Sequence, residues 1–168
     1  MAEFKGTALS VLCLSIFVSS CSDSEQAAFT ASDWPAYGGQ NNGNRYSTLT
    51  QVNRDNVSRL KPAWHYDMDD PGASQTQPIV VGGVVYGLTP TLDVIALNGA
   101  SGELLWSFSG LDGPSDFTGP SRGLSMWKEG DKKILFASLV DKLFAIDPDS
   151  GDLVVEFGDD GVLDLRTG

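Results

Sequence analysis

Two groups of aspartates have the ligand type and the close spacing of a calcium site. Asp147, Asp149 and Asp152 are spaced much as in the calcium-binding loop of an EF-hand. That loop needs glycine at its sixth position and glutamate at its twelfth, whereas here Gly151 comes one residue early and no glutamate follows. The segment therefore predicts a tight turn between strands rather than a metal site.

The second acidic group is no better candidate for a calcium site, and the single histidine is a poor candidate for a catalytic residue. Asp67, Asp69 and Asp70 could hold calcium loosely, but they precede a Pro-Gly pair, a composition that favours a solvated loop. His65 is the only histidine. A lone imidazole between two aromatic residues is more often structural than catalytic.

Both cysteines lie near an apolar run of ten residues, 9–18. Such a run matches the core of a signal peptide and is too short to span a bilayer as a helix. Residues 18–21, Val-Ser-Ser-Cys, resemble a bacterial lipobox, in which the thiol of Cys21 is the attachment point for diacylglycerol. An ordinary signal peptide with a chance cysteine is the alternative. With Cys13 inside the signal, the mature chain would have no disulfide and no thiolate metal site.

These features divide the chain into three parts. Residues 1–20 are predicted to be a lipoprotein-type signal peptide, residues 21–33 a flexible tether, and residues 34–168 the folded portion. Ser22 follows the lipidation residue where an aspartate would indicate retention in the inner membrane. The prediction is a lipid-anchored protein on the periplasmic side, at the outer membrane.

The charge balance excludes one class of partner. Asp plus Glu number 22 against 11 Lys plus Arg, which gives a net charge of −11. A chain this acidic, with no cluster of basic residues, would be repelled by phosphate backbones. We therefore expect no nucleic-acid partner.

Past residue 33 the chain is a series of short β-branched runs separated by turn residues. Residues 79–81 and 84–86 flank Gly82-Gly83, a pair that tolerates the positive φ angles of a two-residue hairpin turn. A second pair of strands is predicted at 93–97 and 103–108. Only residues 53–60 suggest a helix.

The pattern then repeats with a constant offset. Residues 95–104 match residues 144–153, 49 positions later throughout. A period of this size, made of short strands, is typical of the blades of a β-propeller. In each copy the asparagine or aspartate can accept hydrogen bonds from the turn and the glycine can close it, while Trp106 is large enough to pack between blades.

The repeat is incomplete in two places. Val155 stands where a second copy of Trp106 is expected, and residues 60–64, ending in Trp64, are a degenerate copy of the same strand. Two or three blades cannot close a ring, because propellers need at least four. We therefore expect an all-β fold, the first two to three blades of a longer propeller.

The repeat, of the form Ala-x-Asp-x-x-(Ser/Thr)-Gly-x-x-x-Trp, resembles the tryptophan-docking motif of quinoprotein dehydrogenases. The rest of the folded portion is similar to the N-terminal part of pyrroloquinoline quinone (PQQ) dehydrogenases, nearest to the glucose/quinate/shikimate branch. The likeness is carried by residues 34–39, 44–47, 52–64, 75–81, 121–125 and 157–165.

This resemblance implies an eight-bladed propeller that holds PQQ on its axis, with Ca²⁺ beside the quinone and a carboxylate as base. It implies oxidation of a sugar, polyol or alcohol, with electrons passed to a respiratory acceptor such as ubiquinone or a cytochrome. The catalytic base and the metal ligands belong to later blades, so this chain is expected to carry none of them and to be inactive by itself.

Two positions correspond to cofactor contacts in the family. Arg122 stands where the family has an arginine near the oxygens of PQQ, a role that suits a permanently charged fork. Gln75 stands where many members have a glutamate against PQQ, and it keeps the reach without the charge. Otherwise Arg122 would be a solvated loop arginine.

The sequence leaves the substrate and one competing function open. Residues 116–120 lack the adjacent cysteines of the alcohol-oxidising branch, which favours sugars or polyols. The alternative function is a non-catalytic propeller lipoprotein that acts as an outer-membrane assembly scaffold, and an inert truncated product is a third. Residues 34–47 and Arg122-Gly123 favour the enzyme, because the scaffold type is not expected to carry them.

Lipid attachment at Cys21 is testable directly. Labelled palmitate should enter the precursor in a bacterial host and be lost with Cys21→Ala, because the thiol is the acylated group. Gel fluorography measures the label, and Cys13→Ala, inside the signal, is the matched control that should keep it. Label that survives Cys21→Ala would contradict the lipoprotein hypothesis.

Overall fold

The computed structural model describes residues 29–40, 42–68, 72, 76–111, 121 and 123–167. Within these ranges the chain forms two four-stranded antiparallel sheets, each made of strands consecutive in the sequence. The first sheet contains β1 (Ile79–Val81), β2 (Val84–Leu88), β3 (Val94–Asn98) and β4 (Leu104–Phe108). The second contains β5 (Leu124–Glu129), β6 (Lys132–Leu139), β7 (Lys142–Ile146) and β8 (Val162–Asp164). The predicted all-β fold is confirmed, and the segment that suggested a helix forms only the 3-10 helix Val57–Arg59.

The first hairpin forms as its glycines predict. Gly82 and Gly83 have φ angles of 61° and 80°, which only glycine adopts without strain. The last pair of the ladder is Val81 with Val84, so the connection has two residues. This turn sets the register of β1 on β2.

The two repeated turns owe their shape to one side chain each. The Oδ1 atom of Asn98 accepts hydrogen bonds from the amides two and three residues later, at 2.9 and 3.1 Å. Asp147 does the same in the second copy, at 2.8 and 3.3 Å. Gly102 and Gly151 then close the turns with φ angles of 74° and 83°. The repeat in the sequence is therefore a repeat in structure.

The core lies between the two sheets. Alternate side chains of each strand point at the other sheet, as the two-residue period of a strand requires. Burying these side chains is the main favourable term in the packing of one blade on the next. The buried apolar residues of this cluster are Ile79, Val81, Tyr86, Leu88, Leu92, Val94, Ala96, Leu124, Met126, Leu135, Ala137, Leu139, Phe144 and Ile146.

Trp106 docks the first sheet onto the second. Its Nε1 donates a hydrogen bond of 3.0 Å to the carbonyl of Pro148, in the turn between β7 and the segment after it. Its ring lies so close to Gly151 that a Cβ atom there would be 2.8 Å away. The hydroxyl of Tyr86 donates to the same carbonyl at 3.3 Å, so one backbone oxygen collects two donors from the neighbouring sheet.

Trp64 repeats this contact one step earlier. Its Nε1 donates a 3.0 Å hydrogen bond to the carbonyl of Gly99, and a Cβ atom on Gly102 would lie 2.6 Å from its ring. The segment that carries Trp64 forms no strand in the part of the chain that the structure describes. The degenerate copy has therefore kept the docking tryptophan without a ladder around it.

The outer edge of the second sheet is formed differently from that of the first sheet. Val155, at the position of the missing tryptophan, is 59% exposed. The chain turns there, and Phe157 packs on Phe136 with ring centroids 5.4 Å apart. Only then does β8 pair with β7, matching Val162 to Phe144. Within the described ranges, no helix is long and apolar enough to cross a membrane.

The docking of Trp106 predicts a specific sensitivity at Gly151. Gly151→Ala should lower the free energy of unfolding by about 2–4 kcal/mol, since it combines a strained positive φ with a clash against the indole. Gly82→Ala is the matched control: its φ is also positive, but a Cβ atom would meet nothing within 4 Å. It should cost only about 1–2 kcal/mol. Urea unfolding followed by tryptophan fluorescence compares them, and equal losses would contradict the docking contact.

Candidate functional site

The two sheets are aligned so that equivalent strand ends coincide. At one end Trp106 meets the turn at Pro148. Two residues further along β4, Phe108 packs edge-on against Phe144, in the middle of β7, with ring centroids 5.5 Å apart. β1 and β5, the first strand of each sheet, are in contact. They therefore begin at the same end, which we call the upper end.

The residues that the sequence singles out for the cofactor precede the first strand of each sheet in the chain. Gln75 precedes β1 by four residues and Arg122 precedes β5 by two. Both side chains lie outside the described residues, as do Cys21, Asp69 and Asp70. The two strands that follow these residues, β1 and β5, are in contact.

The backbone on either side of Arg122 is tied to the second sheet. The hydroxyl of Ser121 donates to the carbonyl of Ser138, in β6, at 3.2 Å. It also accepts a 3.2 Å hydrogen bond from the amide of Gly123. Ser121 thus fixes the entry to β5, a role that the sequence motif did not suggest.

The segment before the sheets joins their free inner edges. Trp34 pairs with Val80 of β1 through two hydrogen bonds, Trp34 N to Val80 O at 2.6 Å and Val80 N to Trp34 O at 3.0 Å. The next carbonyl, of Pro35, accepts from the amide of Met126 in β5 at 2.8 Å. Two adjacent residues therefore link the first strands of both blades.

Asp33 anchors this segment at the lower end. Its carboxylate accepts hydrogen bonds from the amide of Gly82 at 2.8 Å and from the amide and hydroxyl of Thr30 at 2.7 and 2.8 Å. Partial burial works to raise the pKa of Asp33, but these hydrogen bonds outweigh it, so the pKa lies below its usual value. The charged form is the one that holds the segment.

One buried donor next to these inner strands has no partner. The indole Nε1 of Trp34 is buried and finds no acceptor among the described residues. The ring packs under Gly39, where a Cβ atom would lie 3.2 Å away. A buried donor left unpaired costs about 1–3 kcal/mol, so an acceptor on this side of the blades would stabilise the protein.

Tyr37 and Arg45 form an aromatic–cation pair in the same segment. Arg45 donates from Nη2 to the hydroxyl of Tyr37, and its Cζ lies 5.0 Å from the centroid of the tyrosine ring. Arg45 takes part in no ion pair within the described ranges. Both residues belong to the segments that resemble the family, but the sequence suggested a role in a site for neither.

The described acidic residues take part in turns and ion pairs. The described residues contain no group of three or more His, Cys, Asp or Glu side chains that could hold an ion. Asp147 serves its own turn, and Asp149 pairs with Lys133 at 2.9 Å. His65 and Asp67 are 3.7 Å apart and both are 86% exposed. Asp147 and Asp149 are therefore turn and surface residues, whereas Asp69 and Asp70 of the second group lie outside the described residues.

Among the described residues, only Tyr86 has a large pKa shift. Burial, with Asp149 and Asp147 adding to it, raises the pKa of Tyr86 to about 12. The phenol is therefore neutral at physiological pH and donates its proton to a backbone carbonyl. It packs blades and does not act as a base.

Comparisons with known proteins identify relatives for the whole folded portion. The family model for the β-propeller domain of PQQ-type glucose/ethanol/alcohol dehydrogenases matches residues 34–168. The dehydrogenase subunit of the quinone alcohol dehydrogenase of Gluconobacter oxydans is 38% identical over 127 residues, which are 73% of this chain and 16% of that protein. The quinoprotein glucose dehydrogenase of Escherichia coli is 32% identical over 161 residues, covering 80% of this chain and 20% of that one.

Two solved structures with a similar fold are quinohemoprotein alcohol dehydrogenases. A quinohemoprotein alcohol dehydrogenase from Pseudomonas putida superposes with a TM-score of 0.67 at 28% identity, over 82% of this chain and 20% of that one. The corresponding enzyme from Comamonas testosteroni gives a TM-score of 0.64 at 26% identity, over 84% and 20% of the two chains. The chain thus spans about a fifth of the length of these relatives.

The anchoring by Asp33 predicts a pH-dependent segment. Because the folded pKa is depressed, the stabilisation is complete above the usual aspartate pKa of about 3.9 and is lost as the pH falls through the lower folded value. Asp33→Ala should mimic this at neutral pH and speed amide exchange at residues 30–36. Hydrogen exchange read by mass spectrometry measures it, with Asp55→Ala as a control that removes an exposed aspartate. Unchanged exchange in Asp33→Ala would contradict the anchor.

Proposed function

Because the chain belongs to the PQQ β-propeller family of glucose, ethanol and alcohol dehydrogenases, we propose that it supplies two adjacent blades of a PQQ-dependent dehydrogenase. The enzyme would oxidise a CH–OH group of a sugar, polyol or alcohol. Relatives named as alcohol and glucose dehydrogenases are similar to it over most of its length. The observation that carries the proposal is the contact of β1 with β5, the two strands that Gln75 and Arg122 precede in the sequence by four and two residues.

Arg122 and Gln75 would bind and orient the cofactor. A guanidinium can donate two parallel hydrogen bonds to a carboxylate, and in a site shielded from water such a contact is strong. Gln75 could donate or accept without adding charge. Ser121, which ties the backbone before Arg122 to β6, would limit how far the arginine could swing.

The described residues fit a planar acceptor-rich group with several carboxylates. Beside the inner strands they leave one buried donor, Trp34 Nε1, without an acceptor. They also leave the guanidinium of Arg45 without a carboxylate. In a chain with a net charge of −11, a tricarboxylate could bind only where cations of this kind are gathered.

When bound, PQQ would supply the quinone that accepts hydride from the substrate alcohol. The part of the chain that the structure describes has no cluster of metal ligands, so Ca²⁺ and the catalytic base would be held by other blades. The contribution of these two blades would be to hold the cofactor and to cover one side of the axis.

The substrate, the electron acceptor and the cellular location are inferred from separate features of the sequence and from the family resemblance. Residues 116–120 lack the paired cysteines of the alcohol branch, which favours a sugar or polyol. Electrons would pass to ubiquinone or a cytochrome. Residues 1–20 and Cys21 support export and a lipid anchor on the periplasmic side, in the outer membrane.

The test is a complete propeller, either the extended reading frame or a graft of residues 34–168 onto the remaining blades of a relative. It should bind PQQ and, with Ca²⁺, reduce an artificial dye with an aldose or polyol. Arg122→Ala should weaken PQQ binding by about 2–4 kcal/mol, because it leaves a desolvated carboxylate unpaired. Arg122→Lys should recover only part of this, since an ammonium cannot form the bidentate contact. Fluorescence titration of the apoprotein gives the affinities.

Lys133→Ala is the matched control, since it removes one positive charge at the lower end, where Lys133 pairs with Asp149. It should leave PQQ binding unchanged. Gln75→Glu should be tolerated. A complete propeller that binds no PQQ, or one in which Arg122→Ala binds it normally, would favour the non-catalytic scaffold instead.

A further inference from the structure

The segment of Trp34 and Pro35 carries the chain towards the upper end. Trp34 is antiparallel to β1, so the residues after it run towards the point where β1 begins. The turn that follows uses Gly38 and Gly39, with φ angles of 80° and 96°. The chain then returns, and the amide of Arg45 donates to the carbonyl of Gly38 at 3.0 Å. Tyr37 and Arg45 therefore lie beyond the pairing of Trp34 with β1, in the direction of the upper end.

The guanidinium of Arg45 is held in place before any ligand arrives. One of its nitrogens donates to the hydroxyl of Tyr37 while the group lies over the tyrosine ring, with Cζ 5.0 Å from the centroid. A cation over an aromatic face is attracted by the negative potential of the ring. The backbone of Arg45 is fixed in the left-handed region, at φ 55°. The other N–H groups of the guanidinium have no hydrogen-bond acceptor among the described residues.

This arrangement differs from every other described arginine. Arg166 is neutralised by Asp141 and Asp164, each 3.0 Å away. Arg54 and Arg59 are in no ion pair either, but no aromatic ring or hydrogen-bond acceptor within the described ranges orients their side chains. Only Arg45 combines a full charge, a fixed orientation and a position towards the upper end.

We propose that Arg45, oriented by Tyr37, is a carboxylate-binding subsite at the upper end of the blades. The proposal rests on the proposed function and extends it. The carboxylate would belong either to the bound cofactor or to a carboxylated polyol substrate, both of which a guanidinium fork recognises by paired hydrogen bonds. Tyr37, 64% exposed, is a positioning residue that keeps the fork facing the ligand.

Chemical protection of Arg45 tests the subsite independently of activity. Phenylglyoxal modifies free guanidinium groups, and mass spectrometry of digested protein reports the rate at each arginine. The probes are PQQ, gluconate and sorbitol, the last a matched polyol without a carboxylate. A carboxylate probe should slow the labelling of Arg45 about tenfold, whereas sorbitol should not. Arg54 and Arg59 serve as internal controls whose labelling should not change.

The pattern of protection identifies the source of the carboxylate. Protection by PQQ at low concentration assigns the cofactor, and Arg45→Gln should then weaken PQQ binding about tenfold. Protection by gluconate alone assigns a carboxylated substrate, and Arg45→Gln should then raise KM for gluconate relative to sorbitol with kcat unchanged. In both cases Tyr37→Phe should reduce the protection, and Arg166→Gln, which removes an arginine that is already paired, should not.

Two results separate this inference from the proposed function. Gluconate protection in a protein that binds no PQQ would support the subsite while the dehydrogenase proposal fails. Labelling of Arg45 that neither carboxylate slows, in a protein that binds PQQ, would overturn the subsite and leave the dehydrogenase proposal standing.

Discussion

Each blade is located on the next by one tryptophan, whose N–H donates to a backbone carbonyl of the neighbouring turn while its ring lies over that turn's glycine. Trp64 makes this contact with Gly99 and Gly102, and Trp106 makes it with Pro148 and Gly151. The hydrogen bond fixes the direction of the ring, and the absence of a Cβ atom fixes its distance. Because the contact sits at one end of the sheets, it also aligns them, so that all first strands begin at the same level. The site depends on that alignment.

Alignment leaves the inner edges of β1 and β5 side by side, each with unpaired backbone groups. An open strand edge is a liability that proteins cover. Here a segment of the same chain covers it, since Trp34 pairs with β1 and Pro35 accepts from β5. The cover begins at the lower end, where Asp33 holds Gly82, and continues to Tyr37 and Arg45. The segment that covers the edge therefore also carries a cation, Arg45, towards the upper end.

The net charge of the protein makes an arginine without an acidic partner important for binding an anionic ligand. A protein with twice as many acidic as basic residues repels a tricarboxylate from most of its surface. Binding then requires a few cations that are not already neutralised. Arg166 is paired with Asp141 and Asp164, whereas Arg45 contacts Tyr37 and is in no ion pair within the described ranges. The proposed roles of Arg122 and Arg45 follow the same electrostatic requirement.

The sequence by itself determined the local features of this protein. The Gly82-Gly83 hairpin, the turns led by Asn98 and Asp147, and the closing glycines were all predictable, because each depends on residues within five positions of one another. The 49-residue repeat and the family followed from the same turns. The other features of the structure depend on tertiary packing. Three features depend on contacts between residues distant in the chain. Trp64 docks without a strand, β8 forms only after the turn at Val155, and the segment of Tyr37 and Arg45 runs towards the upper end. Turn chemistry and strand alternation carry no information about which sheet edge a distant segment will cover, and that choice placed Arg45.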